Sequence, residues 1–210
     1  MIKIFITDDH PLLRTGIKAM LAENSDFTIV GESGNGRETL QHLRKEAVDV
    51  LLLDIHLPIM DGFEVLQRAK ELRPELRVLI LTMCAEESMA YRFLRAGASG
   101  YLVKDMLPEE LTKAVRTVSR GQRYLSSEMA AQMADRIVEP SAAPAHEKLT
   151  NREFQVFKLL AAGTAGTDIA QALRLAPSTV STYRTRILEK LELTSVAALI
   201  RYAVEHKLVE

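Results

Sequence analysis

A single cysteine, Cys84, is all that the 210 residues hold. With no partner for an internal disulfide, a disulfide-stapled fold is excluded, a reducing compartment is expected, and Cys84 reads as a small buried hydrophobe. No run of 18 apolar residues and no basic-then-apolar leader occurs, so a cytoplasmic chain with no membrane partner is expected. Charge of one sign is also missing. The net charge is -1, although residues 1–146 carry 18 Lys+Arg against 21 Asp+Glu while residues 147–210 carry 9 against 7. A C-terminal surplus of that size supports nucleic-acid binding only weakly, so any such claim must rest on a motif. What is present is apolar material, 47% of the residues, enough for two modest domains with real cores.

Along the first part, short β-branched runs alternate with helix-period segments. Strands are expected at 2–7, 27–32, 49–54, 77–82 and 99–103, and helices at 12–23, 36–46, 62–73, 87–96 and 108–120. Five such pairs read as an α/β domain, a doubly wound parallel sheet with helices on both faces. The run Val50 to Leu53 is wholly apolar, as a strand covered on both faces should be. A helical stretch over 126–138 leads into the Ala-, Pro- and Ser-rich segment 140–146, a linker by composition. Beyond it every periodic segment is helical. The domains expected are thus 1–122, a linker at 123–147, and an all-α domain over 148–210.

Polar side chains stand where the apolar strands stop: Asp8 and Asp9 after the first, Asp54 after the third, Thr82 after the fourth and Lys104 after the fifth. Parallel strands bring their carboxyl ends to one edge, and ligands bind in the crevice outside it. Three carboxylates gathered there would repel one another and tend to take up protons unless a cation joined them. Mg2+ suits Asp8, Asp9 and Asp54, because it prefers hard oxygens and commonly shares carboxylates with phosphate. Lys104 adds a positive charge and Thr82 a hydroxyl donor, which together describe a phosphoryl-transfer site with a carboxylate nucleophile. Taken singly, each has a bland reading: Asp-Asp as a turn or cap, Lys104-Asp105 as a solvated loop pair, Tyr101 as core filling. His10 could ligate a metal but is expected to start the helix before Pro11, and His56 is expected to be exposed above the pocket.

Residues 1–122 resemble the receiver domain of bacterial two-component response regulators, through Asp8-Asp9, the segment Asp54-Ile55-His56-Leu57-Pro58-Ile59-Met60-Asp61-Gly62, then Thr82, Tyr101 and Lys104. The resemblance implies strand order 2-1-3-4-5 and phosphorylation of Asp54 by a sensor histidine kinase. It implies Mg2+ held by Asp8, Asp9, Asp54 and the backbone carbonyl of His56, with Thr82 and Tyr101 as the switch. Asp105 follows Lys104 where many receivers have proline, which leaves the isomer of that peptide bond open.

In the second domain Thr150 and Glu153 form a capping-box pattern, Gly163 ends the first helix, and a helix, tight turn and helix follow. Wound at 100° per residue, the segment 177–191 places Val180, Ile187 and Leu191 on one face with Leu188 at its margin. Ser181, Thr182, Thr185, Arg186 and Glu189 lie opposite, where hydroxyls and a guanidinium could meet a DNA groove. Any amphipathic helix also exposes polar residues. This half resembles the LuxR-type helix-turn-helix of NarL/FixJ-family regulators at Leu149-Thr150, Arg152-Glu153, Leu159-Leu160-Ala161, Gly163, Ile169-Ala170, Leu173, Thr179-Val180 and Lys190-Leu191. By that resemblance Thr179, Ser181, Thr182, Tyr183, Arg184, Thr185, Arg186 and Lys190 face promoter DNA. Val196, Leu199, Ile200 and Ala203 would supply a dimer contact, and RNA polymerase is a further candidate partner. The departures are Ala165-Gly166-Thr167-Asp168, which loses a cap and a cation, Ala176, which leaves the recognition helix to Pro177 or Ser178, and the unusual Arg184.

Two rivals to a phosphorylation-controlled transcription regulator are a flavodoxin-like enzyme hydrolysing phosphoesters, and a regulator whose receiver serves only for association.

Overall fold

The computed structural model describes residues 1–83, 87–127, 129–131, 144–173, 175–206 and 208–209. Cys84 and most of the expected helix 126–138 and the linker 140–146 lie outside these residues. The chain divides into two compact units, Met1–Glu139 and Pro140–Glu210. Among the described residues no helix is long and apolar enough to cross a membrane.

In the first unit, strands β1 (Ile2–Thr7), β2 (Phe27–Ser33), β3 (Val50–Asp54), β4 (Arg77–Thr82) and β5 (Gly100–Val103) alternate with helices α1 (Pro11–Ala22), α2 (Gly36–Lys45), α3 (Gly62–Leu72), α4 (Glu87–Arg95) and α5 (Leu107–Ser119). All four strand pairs are parallel and the order is β2-β1-β3-β4-β5, as expected. Period-2 alternation divides the apolar strand residues between two faces. Ile4, Ile6, Val50, Leu52, Leu79, Leu81 and Leu102 pack with Ile17 and Leu21 of α1 and Leu111, Val115 and Val118 of α5. Their neighbours Phe5, Leu51, Leu53 and Ile80 are equally buried and, by alternation, face the other helical layer. Each such side chain contributes about 1.5–3 kcal/mol by leaving water.

Helix starts follow local chemistry. Asn35 caps α2 by accepting the N–H of Glu38 at 3.0 Å, and Asp61 caps α3 by accepting that of Glu64 at 2.9 Å. The loop before α3 carries an outlier, because Ile59 sits at φ 72° with 69% of its surface exposed. A β-branched side chain is strained in that region and gains nothing here from burial. Ile59→Gly should therefore raise the stability of this unit by about 0.5–1 kcal/mol, relief of strain outweighing the added freedom of the unfolded chain. Hydrogen exchange of the β3 and β4 amides would report it; slower unfolding protection lost rather than gained would refute the strain argument.

The outer edge of β5 is covered by chain beyond α5, which no strand pattern foretells. Tyr101 N–H donates to the Tyr124 carbonyl and Tyr124 N–H to the Ser99 carbonyl, both at 3.0 Å, and the buried Tyr124 hydroxyl bonds to Glu110. Pairing an edge strand in this way removes an open row of backbone donors and acceptors.

The second unit is all helical: α6 (Asn151–Ala161), α7 (Gly166–Ala172), α8 (Pro177–Lys190) and α9 (Val196–Glu205). Its core holds Phe154, Phe157, Ile169, Val180, Ile187, Leu199 and Ala203. Gly163, at φ 77°, ends α6 and lets Thr164 N–H return to the Leu159 carbonyl at 3.0 Å. Arg152 donates to the Leu173 carbonyl at 2.6 Å, satisfying the open end of α7.

Candidate functional site

Parallel pairing brings four strand ends together. Asp54 stands level with Leu81 and Thr82 with Val103, so Thr82 at the end of β4 and Lys104 just past β5 come to the edge where β3 ends in Asp54. Asp8 extends β1 by donating its N–H to the Ser33 carbonyl at 3.1 Å. Its Oδ1 accepts the His10 N–H at 2.8 Å, which turns the chain into α1. Gly62 permits the return of the β3–α3 loop: its N–H reaches the Ile55 carbonyl at 2.9 Å, and an added Cβ would lie 2.2 Å from the Asp54 carbonyl oxygen. No side chain fits there, so α3 can rest directly on the strand end that presents Asp54.

At the centre is a buried triad. Lys104 Nζ lies 2.7 Å from Asp8 Oδ2 and 2.9 Å from Asp54 Oδ1, and Asp8, Asp54 and Lys104 are 0%, 1% and 8% exposed. Burial pushes the Asp54 carboxyl above the usual aspartate range and the charge of Asp8 adds to this, against the pull of Lys104. Burial presses the Lys104 ammonium down, but the two carboxylates outweigh it and hold the ammonium above the ordinary lysine value. One cation thus serves two acids. Asp54 Oδ2 is buried with no hydrogen-bond partner among the described residues, which is an unmet demand for a donor or a cation.

The residues present fit a divalent metal. Ligand atoms of Asp8, Asp9, His10 and Asp54 all lie within 4.8 Å of one another. Asp9 is partly exposed at the rim of this cluster, and carboxylate oxygens are the ligands that Mg2+ favours. The His10 ring is directed to carboxylates, with Nδ1 2.7 Å from Asp9 Oδ1 and 3.3 Å from Asp8 Oδ1. It also occupies the N-cap position of α1 before Pro11, without a side-chain cap bond. His56 is exposed, whereas Thr82 and Tyr101 are buried, the Tyr101 ring 6.3 Å from that of Phe93. The peptide bond between Lys104 and Asp105 is trans, and Lys104–Met106 forms a 3-10 turn that carries Lys104 back over the acids.

In the helical unit, Val180, Ile187 and Leu191 are buried and Leu188 is half-buried, while Ser181, Thr182, Thr185, Arg186 and Glu189 are exposed. Arg184 is exposed too, and Thr179 and Tyr183 are half-buried beside them. The Thr182 and Thr185 hydroxyls donate to the carbonyls of Ser178 and Ser181 at 3.0 and 3.2 Å. Helix α8 starts at Pro177 with Ala176 as an N-cap that makes no side-chain bond, and α7 likewise lacks a capping side chain at Ala165. Ser178 therefore does not take the cap role.

Two sets of expected contact residues have partners inside their own unit. Lys190, 36% exposed, has its Nζ 2.6 Å from Glu153 Oε2, the same oxygen that accepts the Thr150 N–H at 2.6 Å in the capping box of α6. An ammonium near a buried carboxylate is held there by charge. Of the apolar stripe on α9, Leu199 and Ala203 are both 0% exposed within their own unit, while Ile200 and Val204 are 36% and 53% exposed. The inward pair packs α9 onto its own unit, and Ile200, Val204 and the half-buried Val196 are the apolar residues of the helix left toward its outer side.

Sequence reasoning passed over Arg14, which binds the Asp8 backbone, and Tyr124 on the β5 edge. It also passed over His146, buried and 3.0 Å from the Tyr202 hydroxyl. An arginine or tyrosine at an unremarkable position gives no pattern by which to find it.

Residues 4–116 match the response regulator receiver domain, and residues 147–203 match the bacterial regulatory proteins of the luxR family. Over 211 aligned residues the chain is 37% identical to the response regulator GacA of Pseudomonas aeruginosa, covering 100% of this chain and 99% of that protein. It is 34% identical to the response regulator UvrY of Escherichia coli, covering 99% and 96%. Among solved structures it resembles RcsB of Salmonella enterica serovar Typhimurium, bound to the rprA promoter in the presence of the phosphomimetic BeF3-. That match has a TM-score of 0.65 and 25% identity over 97% of this chain and 99% of that one.

Proposed function

The chain belongs to the response regulators that join a receiver to a LuxR-type regulatory domain, DNA-binding regulators of transcription, and on that premise we propose that phosphorylation of Asp54 by a sensor histidine kinase controls dimerisation and promoter binding. The observation that carries the reading is the buried Asp54 carboxylate, one oxygen paired with Lys104 and the other without a hydrogen-bond partner among the described residues.

The free oxygen, Oδ2, is the nucleophile. It attacks phosphorus of a phosphohistidine whose ring is protonated at its other nitrogen; the P–O bond forms as the P–N bond breaks, the bonding pair stays on nitrogen, and the ring leaves as neutral imidazole still carrying that proton. Lys104, already between Asp8 and Asp54, balances the charge that accumulates on the transferred group. Mg2+ held by Asp8, Asp9, Asp54 and the His56 carbonyl would supply the remaining neutralisation of carboxylate and phosphoryl oxygens. Thr82, at the neighbouring strand end, donates its hydroxyl to a phosphoryl oxygen, and the change at Thr82 is passed to Tyr101 on β5.

DNA binding falls to the exposed face of α8. Thr182 and Thr185 offer acceptor lone pairs and methyls to base edges, and Arg184 and Arg186 meet phosphates. With few cations per unit a single half-site holds weakly, and pairing two units raises the effective concentration enough to tighten binding by ~10²- to 10⁴-fold. The similar structure of RcsB, bound to promoter DNA in the presence of a phosphomimetic, supports a phosphorylated, DNA-bound form.

Footprinting with Mg2+ and acetyl phosphate tests this. Paired half-sites should become more strongly protected for the native chain and stay unchanged for Asp54→Ala. Full occupancy by Asp54→Ala without phosphate would instead establish the receiver as an association module.

A further inference from the structure

Arg14, in α1, is a cation that the chemistry above leaves unused. Its side chain is 16% exposed, and Nη1 donates to the backbone carbonyl of Asp8 at 2.7 Å. The guanidinium crosses Gly34 to get there, where an added Cβ would stand 3.6 Å from Nη1. Glu32 is its nearest acid, with Oε1 3.8 Å from Arg14 Nε, too long for a hydrogen bond. Glu32 is committed to Lys18 at 2.9 Å, and Arg14 Nε is buried without a hydrogen-bond partner among the described residues. A largely covered guanidinium that keeps only a 3.8 Å ion pair with Glu32 while giving a 2.7 Å hydrogen bond to a peptide carbonyl makes that carbonyl its closest partner.

The carbonyl belongs to the peptide plane between Asp8 and Asp9. Asp8 is held at its N–H by Ser33 and at its carboxylate by His10 N–H and Lys104. Among the described residues Asp9 has only the exposed His10 ring against its carboxylate. The direction in which Asp9 leaves the backbone is therefore set by the plane that Arg14 grips. We infer that Arg14 is a positioning residue for the divalent cation: by locking the Asp8–Asp9 peptide it aims Asp9 into the space beside Asp8 and Asp54 before the metal arrives. This rests on reading the pocket as a cation-dependent phosphorylation site. Partners one step behind the ligands, when removed, typically weaken metal binding 10–100-fold.

The test is Mg2+ titration of the unphosphorylated full-length chain by calorimetry, comparing Arg14→Gln, Arg14→Lys and Lys18→Gln. Lys18→Gln removes the same charge from the same helix without touching Asp8. Arg14→Gln should raise the Mg2+ dissociation constant about 10-fold or more while Lys18→Gln leaves it within about twofold. At saturating Mg2+, Arg14→Gln should regain the native rate of acetyl phosphate labelling. Arg14→Lys, which keeps the charge but not the reach, should also bind Mg2+ more weakly than Lys18→Gln does, and it decides the matter if Arg14→Gln does not fold. Removing either cation should by long-range charge alone tighten Mg2+ binding slightly. An equal change in affinity for the Arg14 and Lys18 variants would thus reduce Arg14 to long-range charge, and unchanged Mg2+ affinity with lowered stability would make its role purely structural; either overturns the inference. Failure of the native chain itself to bind Mg2+ would overturn the phosphorylation reading first.

Discussion

Lys104→Met is expected to destabilise the receiver unit by about 3 kcal/mol at neutral pH, the largest effect of any single change at the site. The triad is one cation between two carboxylates, all nearly excluded from water, so removing the ammonium leaves Asp8 and Asp54 facing each other without compensation. Loss of one partner from a buried pair costs more than the pair was worth, because the remaining charge stays desolvated. The pH dependence has a definite sign. Asp54 has its folded pKa raised above the ordinary 3.8, so the stability linked to its neutral form is complete below that value and is lost as pH rises through the folded pKa. Without Lys104 that loss should reach further, and mild acidification should restore much of the variant's stability. Millimolar Mg2+ should restore part of it at neutral pH by returning positive charge to the acids, and Asp54→Asn in the same chain should relieve it by removing one of them. Hydrogen exchange of β3 and β4 amides follows this unit separately from the helical one. If Lys104→Met were as stable as the native chain and indifferent to pH and Mg2+, the ammonium would not be what holds the acids together.

Glu153→Ala should cost the helical unit about 2–3 kcal/mol. One carboxylate oxygen ends two interactions at 2.6 Å, the Thr150 N–H that closes the capping box of α6 and the Lys190 ammonium at the end of α8. Loss of the cap accounts for about 1 kcal/mol and the charged hydrogen bond for about 1.5–3 kcal/mol, the latter discounted because Lys190 is about a third exposed and can turn to water. Burial alone would raise the Glu153 pKa, but Lys190 and Thr150 prevail and hold it below the ordinary 4.5. Its contribution is therefore whole above that value and disappears as pH falls through the lower folded pKa. Glu153→Gln keeps a cap acceptor and loses the ion pair, so it should retain about half the stability and show no such pH dependence. Exchange of α6 and α8 amides measures both. A variant as stable as the native unit would mean that neither the cap nor the ion pair holds α6 and α8 in place.

The strand ends were legible because a parallel sheet leaves little freedom. Once Ile2 to Ile6, Val50 to Leu53, Val78 to Leu81 and Tyr101 to Val103 read as buried strands, Asp8, Asp54, Thr82 and Lys104 must arrive at one edge. The inward face of α8 followed from helical period in the same way. Period says less on α9, where two apolar residues in each turn could face the unit's own core or solvent. Only packing against the rest of the unit distinguishes the inward pair Leu199 and Ala203 from the outward Ile200 and Val204.

The amino-acid order by itself determined the two-part architecture, the acidic edge and the polar arc of the recognition helix, because each depends on local periodicity and on where an apolar run stops. Tertiary structure alone decided that Lys104 serves two acids at once, that Lys190 turns to an acid 37 residues away, and that Arg14 grips the Asp8 carbonyl. Those are choices among several partners within reach of a long charged side chain. Burial settles them, since an ion removed from water must take the partner that the fold places beside it.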